Sequence, residues 1–484
     1  MTTLISKNTF LTALGCPTQM WFDRRGSTRA LTASEELRII EGQQIGEMAR
    51  AQFAEGVLVT EKDPRTAAEK TATLMADHSV SVIFEAAFIA ESFVTRVDVL
   101  IRRENGWMLI EVKSARHKDE KISGEHIDDM AYTTMVVTMA GVRVTAVELM
   151  RLSDEWRGTG GAQFKKADAT AAVQERVEQF RQQTRGVLLN VFSEERPTPR
   201  LLTSCKNCEY FASQCLGKGI EYPIVEIPRI SEQKVDELVA LNVIDVRDIP
   251  PAFELTPTQR QMVLTISSGE MQADGVKLTK LLSKLSWPCY YLDFETAMSA
   301  LPLWDGIAPF EQVLTQYSIH KCSSLMSEPE HFEYLAPLTH DARRELAEQL
   351  IRDLGSTGSI VVYSSFEKTQ ITTLSQLFPD LAPQLLPLCE RLFDLEVVFK
   401  QAVSHPGFRG KTSIKVTLPT LVPEMSYKNL LIGGGDSAVA AFVRMVRGWC
   451  SSEEVAQLRE ALLAYCKQDT LAMVKLHRVV AALY

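Results

Sequence analysis

Two periods of apolar residues run along the chain, and they change places several times. In "VTRVDVLIRRENGWMLIEVKSA", residues 94–115, two apolar-rich runs flank Asn105-Gly106, a strong two-residue hairpin signal. In "SEQKVDELVALNVIDVRDIP" the spacing becomes helical, and Pro250-Pro251 is expected to stop it. Further on, "CYYLDFE" and "GSIVVYSSF" are short apolar strands set among helical stretches, and "ALLAYCKQDTLAMVKLH" is helical again. This order predicts an α/β protein in three parts: residues 1–220, a small helical connector over 221–285, and an α/β region over 286–484. The Gly- and Pro-rich "SHPGFRGKT", residues 404–412, is expected to be a mobile loop.

Composition adds limits to this layout. A chain of 484 residues exceeds one ordinary core, and 45% hydrophobic with 23% charged residues is a globular balance. No apolar run is long enough to span a bilayer and "MTTLISKNTF" has no signal-peptide core, so a cytoplasmic protein without membrane contact is expected. The net charge of −9 argues against a surface coated for nucleic acid, while leaving room for a local basic groove.

Three groups of residues bear chemistry. With Asn105-Gly106 as the turn, Glu104 faces Trp107 and Asp98 faces Lys113. Asp98, Glu111 and Lys113 then share one face, and Val97, Val99 and Val112 the other. Two carboxylates can hold a divalent cation there, and the lysine can orient water or stabilise an oxyanion. The second group is Cys205, Cys208 and Cys215 in "SCKNCEYFASQC", with Cys16 in "ALGCPTQMW" far upstream. Zinc on four thiolates and an iron–sulfur cluster suit that spacing equally well. Cys289, Cys322, Cys389, Cys450 and Cys466 are expected as ordinary core or surface residues.

The third group centres on "YYLDFET". Asp293 and Glu295 are two apart on an apolar strand, so their like charges point to one face and need compensation. Late in the chain Tyr465 and Asp469, four apart, share a helix face. Glu367 in "SSFEK" and Asp394 in "RLFDLEVVF" are the candidates for a middle acid. Shared divalent cations would neutralise the set, and a metal pair roughly 4 Å apart suits phosphodiester cleavage.

The hairpin triad resembles the PD-(D/E)XK nucleases of the RecB-like branch, which implies metal-binding and catalytic roles for Asp98, Glu111 and Lys113. That branch often carries a histidine after a glycine in an early helix, where this chain has Gly46 and Glu47, and a glutamine where it has Thr133. Several members also hold a 4Fe–4S cluster on one early cysteine and a late trio, which implies such a cluster on Cys16, Cys205, Cys208 and Cys215. The later set resembles the DnaQ-like 3′→5′ exonucleases of the RNase H-like fold. The resemblance implies metal binding by Asp293, Glu295, Glu367 and Asp469, and water orientation by Tyr465. Through "LDFET", "SFEK", "SIK" and "YCKQDT" the chain as a whole resembles the domain of unknown function 2779 family. The expectation is thus a two-site DNA nuclease using Mg²⁺ or Mn²⁺. The alternatives are a nucleic-acid-binding scaffold with a degenerate site, or an RNA-processing exonuclease.

Overall fold

A computed structural model gives the architecture, and it describes residues 3–26, 30–117, 121–425, 427 and 430–483. The chain folds as two compact units, Met1–Arg200 with Ser299–Glu311, and Leu201–Met298 with Gln312–Tyr484. Both are mixed α/β. Among the described residues no helix is long and apolar enough to cross a membrane.

The first unit is built on a six-stranded sheet in chain order. Its strands are β1 (Val57–Leu58), β2 (Val82–Ala90), β3 (Phe93–Arg103), β4 (Gly106–His117), β5 (Val144–Ser153) and β6 (Phe164–Asp168). β1 pairs parallel with β2 and β4 with β5, and the other neighbours are antiparallel. Helix Gly124–Met139 connects β4 to β5 and buries a run from Met130 to Val137. On the other face lies helix Ala33–Arg50, which a capping box between Thr32 and Glu35 starts. Its buried Glu41 accepts hydrogen bonds from the Ser299 hydroxyl and, at 3.2 Å, from the Ala300 N–H. Residues 299–311 therefore belong to this unit although they follow a strand of the other.

The hairpin register differs from the one expected. Arg103 pairs with Gly106 and Val99 with Ile110, so the loop is Glu104-Asn105 and Gly106 already belongs to β4. The cause lies beyond the hairpin. Gly106 sits at φ +147°, a Cβ there would meet the Arg143 carbonyl at 2.5 Å, and Trp107 N–H donates to that carbonyl. Pairing with β5 thus claims the glycine that a tight turn would have used. The register moves by two residues, which keeps each residue's face. Yet Val97 packs with Leu100 and Leu109, whereas Val99 packs with Met108 and Ile110. The two valines expected on one face are therefore on opposite ones. Between them the Asp98 carboxylate, in place of a main-chain carbonyl, accepts the Val112 N–H at 2.7 Å.

The second unit carries a five-stranded sheet in the order β10-β9-β8-β11-β12. Its strands are β8 (Cys289–Ala297), β9 (Val313–Cys322), β10 (Glu330–Leu335), β11 (Ser359–Val362) and β12 (Leu392–Asp394). β8 is central, antiparallel to β9 and parallel to β11. A separate two-stranded pair joins β7 (Gln272–Ala273) to β13 (Val403–Ser404). Strand alternation sorts β8 cleanly. Tyr290, Leu292 and Phe294 enter one core cluster, while Cys289 and Tyr291 enter the other, which contains helix Ser452–Ala481. Asp293 and Glu295 continue the helix-facing row.

The cysteine-rich segment and the following helices share a core. Leu201, Cys205 and Phe211 pack with Ile224, Val235, Leu238, Met262 and Ile266. The compact boundary consequently falls at Arg200, and the connector is an integral part of the second unit. Its first helix spans Glu232–Ala240 and stops well before the prolines, because Asn242 turns left-handed at φ +59°. The expected mobile loop is a packed segment. Phe408 is buried, Arg409 Nε binds Glu226 Oε2 at 2.6 Å, and Gly410 lies against Met262 and Pro228.

Candidate active site

In the second unit, one oxygen each of Asp293, Glu295 and Asp469 lie within 4.8 Å of one another. The long helix brings this about. Leu462, Tyr465, Cys466, Asp469, Met473 and Leu476 recur at three- and four-residue steps and are all buried. Asp469 thereby rides on the stripe that packs over β8. Gln316 of β9 anchors the stripe, its side-chain amide donating to the Leu462 carbonyl at 2.8 Å. At the other end, the Tyr291 hydroxyl meets His477 Nδ1 at 2.7 Å.

Burial raises each of these acids above the ordinary carboxylate value, and repulsion adds to it at Asp293 and Glu295. Burial, then the charges of Asp469, Glu295 and Glu367, push Asp293 well above the ordinary carboxylate value. Burial and Asp469 raise Glu295 to about 8. Burial raises Asp469 to about 6, with hydrogen bonds from Tyr427 and Tyr465 and the charge of Lys415 drawing it back. Glu367, in the first turn of helix Phe366–Leu377 behind β11, is raised to about 7 by burial. Its charge reaches Asp293 and Glu295. Asp394, the other candidate for the middle acid, caps the end of β12 by accepting the Glu396 N–H at 2.9 Å. It affects Glu367 rather than the central pair.

Three further residues complete the site. The Tyr427 hydroxyl donates to Asp469 Oδ1, and its ring lies 5.9 Å from that of Tyr465. Burial and the neighbouring carboxylates keep both tyrosines protonated far above neutrality. Lys415 holds its ammonium 5.8 Å from the Tyr465 ring centre. The Cys466 thiol lies 3.6 Å from Asp293 Oδ2, so this cysteine belongs to the site as well as to the core. The sequence offered hints for Lys415, in "SIK", and for Cys466, in "YCKQD", whereas nothing near Tyr427 pointed to Asp469. Residues 290–413 match the family model of the domain of unknown function DUF2779. That match includes Asp293, Glu295, Glu367 and Asp394, and ends before Lys415, Tyr465 and Asp469.

Curated relatives are distant. The chain is 27% identical over 222 residues to the uncharacterized protein MG366 homolog of Mycoplasma pneumoniae, covering 42% of this chain and 33% of that protein. It is 27% identical over 230 residues to the uncharacterized protein MG366 of Mycoplasma genitalium, with the same shares covered. Uncharacterized protein UU173 of Ureaplasma parvum is 24% identical over 223 residues, covering 40% of this chain and 31% of that protein. The match thus spans about a third of the length of these relatives.

In the first unit the structure ties Glu111 and Lys113 together at 3.1 Å. Lys113 also contacts Asp129 Oδ2, and Lys7 bridges Glu111 at 3.1 Å and Asp129 at 3.4 Å. Burial opposes the Lys113 charge, but Glu111 and Asp129 outweigh it and hold the ammonium above its usual range. Asp98 stands somewhat apart from this network. It lines a cavity of about 440 Å³ under helix Ala33–Arg50, with Gly42, Gly46, Glu47, Arg50 and Glu85. Burial, then the Glu111 charge, raise Asp98 to about 8. No spacing in the sequence links Lys7 or Asp129 to the triad, although Asp129 stands in the "DDMAY" segment. Thr133, where the resemblance would put a glutamine, is buried and bonds Thr95 through their hydroxyls at 3.2 Å.

Of the four cysteines singled out, Cys16 lies in the first unit and Cys205, Cys208 and Cys215 in the second. Cys16 caps helix Pro17–Asp23, its sulfur accepting the Gln19 N–H at 3.4 Å. Cys205 and Cys208 share one turn, closed by the Cys208 N–H to the Cys205 carbonyl at 3.1 Å. The Cys205 sulfur accepts the Leu202 N–H at 3.3 Å.

Proposed function

We propose that the second unit is a metal-dependent exonuclease that cleaves phosphodiester bonds in DNA, as the DnaQ-like resemblance implies. The convergence of Asp293, Glu295 and Asp469 to within 4.8 Å carries this reading. Ligand oxygens at about 2.1 Å lie at most about 4.2 Å apart across one Mg²⁺, so small side-chain movements suffice to close the set. The donors fit Mg²⁺ or Mn²⁺. They are hard carboxylate oxygens, raised above their ordinary values by burial and, at Asp293 and Glu295, by one another's charge, which a divalent cation would offset. Their position supports catalysis too. Asp293 and Glu295 lie on the central strand where β9 runs against β8 and β11 runs with it, and the turn after parallel β11 delivers Glu367. Bound there, divalent cations would supply charge neutralisation of the phosphodiester and a water of lowered pKa. Tyr465, kept protonated, orients the attacking water through its hydroxyl and is not a base. Tyr427 fixes the Asp469 carboxylate.

The RecB-like reading of the first unit rests on Asp98, Glu111 and Lys113. The raised Asp98 carboxyl at the floor of an open cavity supports it. With Lys7 and Lys113 already balancing Glu111 and Asp129, this site has less demand for a cation than the second. The iron–sulfur expectation for Cys16, Cys205, Cys208 and Cys215 stands on the sequence resemblance.

The test is incubation of purified protein and Mn²⁺ with end-labelled single- and double-stranded DNA and RNA. Wild type should shorten DNA from a 3′ end, and Asp293→Asn should abolish that shortening. Shortening from the 3′ end at the wild-type rate in protein carrying both Asp293→Asn and Asp469→Asn would remove the assignment to this unit.

A further inference from the structure

The charge of Lys415 acts on Glu295 and Asp469, and its placement is built. It lies in the first turn of helix Ile414–Leu421, whose Thr417 and Leu418 are fully buried. The Tyr363 hydroxyl, just past β11, pins that helix by bonding the Thr412 carbonyl at 3.0 Å and Thr417 Oγ1 at 2.7 Å. From this fixed base the exposed side chain extends over the Tyr465 ring. Gly434 lies opposite, where a Cβ would come within 3.3 Å of the Lys415 ammonium. Any larger residue there would crowd the lysine.

The electrostatic reach of this ammonium covers Glu295 and Asp469, both of which it draws down. Even so, among the described residues it forms neither an ion pair nor a hydrogen bond. An ammonium that near several carboxylates would ordinarily close on one of them. Held at a distance, it is left as an unpaired positive charge at the rim of an acidic site. With the carboxylates engaged by divalent cations, the ligand that suits it is an anionic oxygen of the substrate.

We infer that Lys415 binds the substrate phosphodiester, pairing its ammonium with a non-bridging phosphate oxygen at the carboxylate site. The inference rests on the exonuclease reading of this unit. The ligand class it specifies is the DNA phosphodiester of that reading.

The experiment reads phosphate contact directly and needs no turnover. Asp293→Asn protein is titrated with a 5′-fluorescein single-stranded oligodeoxynucleotide by anisotropy, from 50 to 200 mM KCl, with and without Lys415→Gln. One lost phosphate contact should weaken binding roughly tenfold at low salt and flatten the plot of log K against log salt by about 0.7. Lys415→Arg should restore the slope, because it keeps the charge. An unchanged slope, or equal binding by Lys415→Gln, would overturn the inference, provided melting in EDTA shows the variant folded. Should Lys415→Gln melt early, the Lys415→Arg slope decides alone, and any slope below that of the parent overturns it. If protein with an intact Asp293 shortens DNA from the 3′ end and Asp293→Asn protein does not, while the slopes are equal, the Lys415 inference alone fails. If such protein cleaves no DNA, the exonuclease reading fails, and Lys415 with it.

Discussion

Cys466 lies against Asp293, its sulfur 3.6 Å from Oδ2 and 3.7 Å from the main-chain oxygen. Burial and the surrounding carboxylates push this thiol well above its ordinary value, so it stays protonated and unreactive. Native protein treated with iodoacetamide at pH 8 should therefore remain unlabelled at Cys466 by peptide mass spectrometry. Labelling should appear only after denaturation, and rapid native labelling would contradict this burial.

The carboxylates make metal-free stability depend on pH in a defined direction. Glu295 near 8 and Glu367 near 7 bind protons in the folded state that the unfolded chain has released. Their contribution is present at low pH and is lost as pH rises through those values. Buried His320, at about 3, and His477, at about 4, and half-buried His331, also at about 4, act oppositely, but only below about pH 6.5, where the unfolded histidines charge. Melting in EDTA should consequently fall between pH 7 and 8.5. Mn²⁺ should flatten that slope.

Asp293→Asn should raise the melting temperature of the second unit in EDTA at pH 8. Relief of one like charge is worth on the order of 1 kcal/mol, or about 2–4 °C for a unit of this size. Mn²⁺ should stabilise the variant less than wild type. Differential scanning calorimetry with and without metal reads both effects, and a loss of stability in EDTA would mark Asp293 as a structural acid.

Lys113→Ala isolates the first unit when made in an Asp293→Asn background. Remaining nuclease activity should fall on the order of a hundredfold. Lys7 still faces Glu111 and Asp129, so the fold should persist with a modest drop in melting temperature. Unchanged cleavage by Lys113→Ala and Asp98→Ala would make this unit a binding module.

Two glycines should respond in opposite ways. A Cβ on Gly42 meets nothing within 4 Å, so Gly42→Ala in the middle of its helix should stabilise by roughly 0.5–1 kcal/mol. At Gly358, φ is +83° and a Cβ would lie 2.0 Å from the Pro288 carbonyl. Gly358→Ala should thus destabilise the second unit clearly. Urea unfolding of both variants reads the contrast.

How much of this was legible in the sequence depended on the range of the interaction. Strand alternation put Asp293 and Glu295 on one face, and helical spacing put Tyr465 with Asp469, because both follow from periods of two and 3.6 residues. The pattern of strands and helices likewise gave mixed α/β units, and the acids grouped by motif include those the tertiary structure gathers. Local signals failed where distant chain competed for the same atoms. Asn105-Gly106 looked like a turn until Arg143 claimed Gly106 for the sheet. The helix at Glu232 ends where Asn242 turns left-handed, which the apolar period does not encode. "SHPGFRGKT" had loop composition, yet Phe408 and Arg409 find partners in the preceding helical segment. Tyr427, Lys7 and Asp129 came to their sites only in three dimensions, since charge pairing and burial depend on distance in space and leave no spacing to read.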